Sequence, residues 1–220
     1  MCRKTWISLL VLAAAAPVTV RARVLVAQEA NPSHAHILHV TEAFGSTPDG
    51  GGLLPTAVAE AAIVAEHARL AAGGDPTDID PMIRHTRHVL NAIDPSEFPT
   101  GPGLDFGLRP AVDAIAQHIE MAAAAEGASE GVKTHAAHVA AASRDVSQRA
   151  DQIVALARQV LAAGVYNEAY PLVQQLRDLC AEVIPGADAS GNGAISLGEG
   201  EGGVEQIERH MALLVEASGL

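Results

Sequence analysis

Val132, Val139, Val146, Ile153 and Val160 recur at every seventh position. A chain with such a seam is committed to one long helix whose apolar stripe must be covered by neighbouring helices. The seam predicts a helix over 131–163. Shorter stretches of helical spacing surround it. Residues 55–72 carry Ala, Val and Ile and end at the breakers Gly73-Gly74-Asp75-Pro76. A second helix, over 80–93, stops before Asp94-Pro95, and a third is opened by Pro110 in its first turn and reaches about Ala125. Beyond the seam, residues 167–184 read as a helix interrupted near its start by Pro171. The last helix covers 203–217, with Val204, Ile207, Met211 and Leu214 on one face. No segment sustains the alternation of a strand. Aromatic residues make up only 3 % of the 220 residues while hydrophobic residues make up 49 %, so the core must be built from Ala, Val, Leu and Ile, which suits closely packed helices. The expectation is an all-α helical bundle of four to six helices. Residues 55–184 form its body, and 185–220 supply a loop and the final helix.

The N-terminus reads as an export signal. Arg3 and Lys4 precede an apolar run from Trp6 to Ala16, and Ala22, Ala27 and Ala30 offer small residues for cleavage. The run is shorter than the ~20 apolar residues that span a bilayer, and Arg21 and Arg23 close it. Residues 1–27 are therefore expected to be a signal peptide, the mature chain periplasmic or secreted, and no stable membrane span to remain. Cys2 leaves with the signal, so Cys180 stands alone and forms no internal disulfide. The formal charge is −12, from 14 basic and 26 acidic residues. Processing removes basic residues and no acid, which deepens that charge. Nucleic acid is excluded as a partner for want of a basic face, while metal ions suit the balance.

Between the last two expected helices lies Asp188-Ala-Ser190-Gly-Asn192-Gly193-Ala194-Ile195-Ser196-Leu-Gly-Glu199. Oxygen-bearing side chains occupy positions 1, 3, 5, 9 and 12, with glycine at 6 and an aliphatic residue at 8. This segment resembles an EF-hand calcium-binding loop. The resemblance implies Ca²⁺ held by the side chains of Asp188, Ser190 and Asn192, by the carbonyl of Ala194, by Ser196 directly or through water, and by both oxygens of Glu199. Only two of these ligands are anionic, which places the affinity on the order of 10⁻⁴ to 10⁻³ M. Two features depart from the family pattern: Pro185-Gly186 interrupts the entering side, and Gly198, Gly200, Gly202 and Gly203 oppose an immediate exiting helix. A lone loop of this kind acts as a clip holding the last helix rather than as a sensor.

The ten histidines are unevenly placed. His85-Thr-Arg-His88-Val89 and His135-Ala-Ala-His138-Val139 repeat the pattern H-x-x-H-V on two expected helices. On a helical wheel His85 and His135 fall about 40° from the following valine, at the border of the apolar stripe, and His88 and His138 about 100° away. An i, i+3 pair brings two imidazoles close enough to share one Zn²⁺ or Cu²⁺. The four histidines flank a groove and form the candidate transition-metal group, completed by each other or by His34-x-His36-x-x-His39 in the polar segment over 28–54. His67, between Ile63 and Leu70, points toward the bundle interior and needs a partner or a ligand. His118 and His210 read as ordinary helix-edge residues.

No catalytic residue is assigned. The Glu-x-x-His pairs of a di-iron bundle are absent, as are H-E-x-x-H and a G-x-x-x-x-G-K-[ST] phosphate-binding loop. Cys180, among Leu179, Ala181 and Val183, reads as buried and inert. The expected function is that of an exported cation-binding protein, with Ca²⁺ in the C-terminal loop and Zn²⁺ or Cu²⁺ at a histidine cluster between helices. Its rivals are a His-ligated metalloenzyme or haem-binding bundle, and a non-catalytic cell-envelope interaction module stiffened by calcium. Four side-chain ligands on the transition metal would indicate storage or structure, and three ligands with a water would leave room for chemistry.

Overall fold

The computed structural model describes residues 31–75 and 78–220; the expected signal peptide lies outside them. Among the described residues the chain is all-α, with seven helices: α1 (Pro32–Thr41), α2 (Leu53–Ala72), α3 (Asp80–Ile93), α4 (Leu108–Ala124), α5 (Glu130–Ala162), α6 (Tyr166–Ala181) and α7 (Val204–Ser218). Each of the six helices read from the sequence has its counterpart in α2 to α7. The added one, α1, arises in the segment taken as a polar stretch. Asn31 caps it by accepting a hydrogen bond from the Ser33 amide, Pro32 sits in its first turn, and Ile37 and Val40 are fully buried. Its short apolar stripe is too brief to stand out by periodicity, and only burial against other helices fixes it. Pro171 does not interrupt α6. It lies inside a continuous helix, whose final expected turn instead opens into the connection to the loop.

The seam helix α5 is the axis of the molecule. Val132, Val139, Val146, Ile153 and Val160 are all buried, and α5 packs against α3, α4, α6 and α7. Its start is fixed by Ser129, whose side chain accepts from the Val132 amide, and by Glu130 in the first turn, where negative charge suits the helix dipole. Small side chains let helices approach closely: a Cβ on Gly131 would lie 2.8 Å from the Ala217 Cβ of α7. Helix α2 packs on α3, α4 and α6, and α1 lies mainly along α4. The loop leading into α4 is anchored by Glu60 of α2. Its Oε1 accepts from the amides of Leu104 and Gly107, both at 2.9 Å, and burial pushes its carboxyl above the usual range. Cys180 is buried in α6, where burial raises its thiol pKa and leaves the sulfur inert. No helix among the described residues is long and apolar enough to cross a membrane.

Candidate metal centres

The seams α1/α4, α2/α3 and α5/α7 each bring three histidines together. His36 and His39 of α1 meet His118 of α4; His85 and His88 of α3 meet His67 of α2; His135 and His138 of α5 meet His210 of α7. Within each group the candidate ligand atoms lie within 4.8 Å of one another. The rule is the same three times: an i, i+3 pair on one helix and a single histidine from the helix packed beside it.

The nitrogens that converge are Nδ1 atoms. His118 Nδ1 lies 3.1 Å from His36 Nδ1 and 3.4 Å from His39 Nδ1. His67 Nδ1 lies 2.9 Å from His85 Nδ1 and 3.4 Å from His88 Nδ1. His135 and His210 bring their Nδ1 atoms to 3.3 Å, and the buried Nδ1 of His138 has no hydrogen-bond partner. A tetrahedral ion with metal–nitrogen bonds of about 2.0–2.1 Å sets its ligand nitrogens about 3.3 Å apart, and the observed separations bracket that edge. Hydrogen bonding alone does not satisfy such a cluster. Each ring nitrogen of a neutral imidazole offers either one proton or one lone pair, so the Nδ1 of His118 or His67 pairs with one of its two neighbours and opposes the other.

The electrostatics point the same way. Burial, followed by the neighbouring imidazoles, holds His67 and His118 below the ordinary histidine pKa. His85 is lowered by burial, then by Arg84 and His88; His88 by burial and Arg84; His210 by burial, then by His138, His135 and Arg209. Lowered values keep these rings neutral near pH 7 with a lone pair to donate.

Spacing along the chain predicts His85, His88, His135 and His138 as one group. The structure places the two pairs in separate triads, each completed from another helix. His67 joins the first pair at the half-buried border of its helix rather than in the interior. His36 and His39 sit on an ordered helix in a triad of their own, while His34 directs Nε2 to the Ser218 carbonyl at 3.1 Å and belongs to no triad. His118 and His210, read as helix-edge residues, each complete a site. The sequence carries a further signal of these sites. His36-Ile-Leu-His39-Val40 is a third H-x-x-H-V, and all nine triad histidines are followed by a buried residue, whereas His34 is followed by exposed Ala35. One residue before a buried position lies 100° round the helix, on the rim of the packed seam.

The C-terminal loop is built differently. Asp188 accepts from the amides of Asn192 (2.9 Å) and Gly193 (2.7 Å), and Asn192 Oδ1 accepts from the Ala194 amide. Gly193 adopts a φ of +84°, which suits glycine at that turn. The carboxylate folded back over Ser190 and Ser196 is that of Glu201, two residues beyond the motif: it accepts from the Ser190 amide at 3.2 Å and the Ser196 amide at 2.9 Å. Hydrogen bonds from Ser196 and Ser190 hold its pKa down to about 2. Glu199 is exposed and lines a groove with Arg144, Asp145 and Gln148 of α5. The loop's end is braced by α5: Asp145 accepts from the amides of Gly200 and Gly202, both at 2.9 Å, while buried Arg149 donates to the carbonyls of the same two residues. No sequence pattern flagged this brace, because its two halves lie more than 50 residues apart.

Compared with protein-family models, with curated proteins and with solved structures, the chain matches none.

Proposed function

We propose that this chain is an exported divalent-cation-binding protein that holds Zn²⁺ or Cu²⁺ at three tris-imidazole sites and Ca²⁺ in its C-terminal loop. The observation that carries the reading is the convergence of three histidines in each of three groups, eight of the nine bringing their Nδ1 atoms to 2.9–3.4 Å of another, each group assembled from two helices. Imidazole nitrogen is a borderline donor suited to zinc and copper, and no thiolate contributes to any of the three groups. Each triad supplies three donors, which leaves room for chemistry as well as for binding, so a His-ligated metalloenzyme is the second reading. Calcium at the loop rests on the spacing of Asp188, Ser190, Asn192, Ala194, Ser196 and Glu199 and on the turn that gathers Asp188 and Asn192.

Elemental analysis of untagged protein, followed by zinc and calcium titration, tests both halves. About three equivalents of zinc are expected; a chain that takes up neither zinc nor copper ends the transition-metal reading. Glu199→Ala is expected to remove most of the thermal stabilisation by calcium, and an unchanged calcium response in that variant counts against the loop assignment.

A further inference from the structure

Each triad stops at three donors. Among the described residues no fourth His, Cys, Asp or Glu joins any group. Glu66, whose charge reaches His67 and His85, is engaged by Arg69 through two hydrogen bonds at 2.8 and 2.9 Å. The nine imidazoles are half-buried at the rims of helix seams rather than sealed in the core. An ion on three nitrogens there has a coordination position that no His, Cys, Asp or Glu of the described residues fills, and a three-donor site with an open position admits an incoming ligand before it gives up its own.

Resting on the reading of the triads as metal sites, we propose that they are exchange sites. Each passes its ion, by ligand substitution through the open position, to an acceptor that binds with nitrogen, oxygen or sulfur lone pairs. In the first step the acceptor's lone pair replaces the coordinated water. The three Nδ1 atoms then leave in turn, each regaining its lone pair and taking a proton from solvent as pH dictates. The metal keeps its oxidation state throughout. The acceptor class is a small chelator or the chelating side chains of another protein.

The three sites differ in one respect. Phe44 stands edge-on to two imidazoles of the first triad, with ring centroids 5.7 Å from His39 and 5.2 Å from His118. Among the described residues the other two triads contact no aromatic ring but their own histidines. The first site therefore has an apolar wall on one side, and it exchanges more slowly than the other two.

The test uses the zinc-loaded full chain mixed with an excess of the chromogenic chelator 4-(2-pyridylazo)resorcinol. A tenfold rise in chelator is expected to raise the release rate about tenfold, because attack on an open position precedes imidazole departure. Release should show two fast equivalents and one slow one, and in Phe44→Ala the slow equivalent should join the fast pair. A release rate that does not respond to chelator concentration overturns the proposal, and a slow phase that persists in Phe44→Ala overturns the role of that ring. A readout independent of kinetics is the visible spectrum of the Co²⁺-loaded chain, which should shift on adding azide; no shift means a closed site and overturns the proposal. Failure of the underlying reading is distinct, since the chain would then take up no zinc or cobalt at all.

Discussion

At the triads nitrogens from two helices face one another: the Nδ1 atoms of His118 and His67 each meet two others, and the buried Nδ1 of His138 has no hydrogen-bond partner. In the C-terminal loop the carboxylates of Asp188 and Glu201 are answered by amides or a hydroxyl of the same loop. Asp188 closes on Asn192 and Gly193, and Glu201 on Ser190 and Ser196. The triads are preorganised on rigid helices at a spacing that suits an ion. The loop already supplies its own positive ends of dipoles to its negative charges. An ion at a triad relieves opposed lone pairs, whereas an ion in the loop must compete with hydrogen bonds already made. The larger thermodynamic response to a cation is therefore expected at the triads.

The sharpest way to break this comparison is to add metal. With free zinc at 100 times its dissociation constant, each filled site stabilises by about 2.7 kcal/mol and raises Tm by roughly 5–10 °C. Calorimetry on metal-free and zinc-loaded protein should show this shift several-fold over, and a smaller shift with calcium. Replacing the lone histidine of a seam separates the sites: His67→Ala, His118→Ala and His210→Ala should each reduce zinc stoichiometry by one of the three equivalents. A single substitution that abolished all binding would mean that the triads do not act separately.

Asp145→Asn probes where the two regions meet. The Asp145 carboxylate and the Arg149 guanidinium hold the 200–202 backbone against α5, directly before α7 delivers His210. Loss of the charged acceptor is expected to cost about 1–3 kcal/mol. It should also weaken zinc at the third triad while leaving the first two at their original affinity, as read by isothermal titration. Equal weakening at all three sites would show that the brace serves the whole fold instead of this corner.

Acid titration of the metal-free chain resolves the two regions by pH. His67, His85, His88, His118 and His210 have folded-state values below 6.5. The unfolded chain therefore binds their protons first, and stability is lost as pH falls below about 6.5. Glu201 is held at about 2 against an ordinary 4.5, so its contribution is complete above 4.5 and disappears as pH falls from 4.5 toward 2. Two loss windows are expected in Tm against pH; zinc should delay the upper one, and Glu201→Gln should remove the lower one.

Much of the bundle was legible in the chain. The seven-residue seam gave α5 and its buried face, and glycine–proline breakers bounded its neighbours, because helical periodicity and helix termination are local properties. Helix α1 was not legible, since ten residues with one short stripe become helical only against α4. The site was half legible. The i, i+3 pairs at His85 and His135 are visible as spacing, but nothing in the chain says that His67, His118 or His210 is the third donor.

By itself the sequence determined which histidines stand on the rim of an apolar stripe, since one residue before a core position lies 100° round the same helix whatever packs against it. It also determined the turn that gathers Asp188 and Asn192, a matter of neighbours in the chain. Only the tertiary structure decided that the histidines divide into three groups of three, and that Glu201 rather than Glu199 folds over Ser190 and Ser196. Both outcomes depend on which helices lie side by side and in what register, and burial over the whole bundle sets that, not the spacing within any one segment.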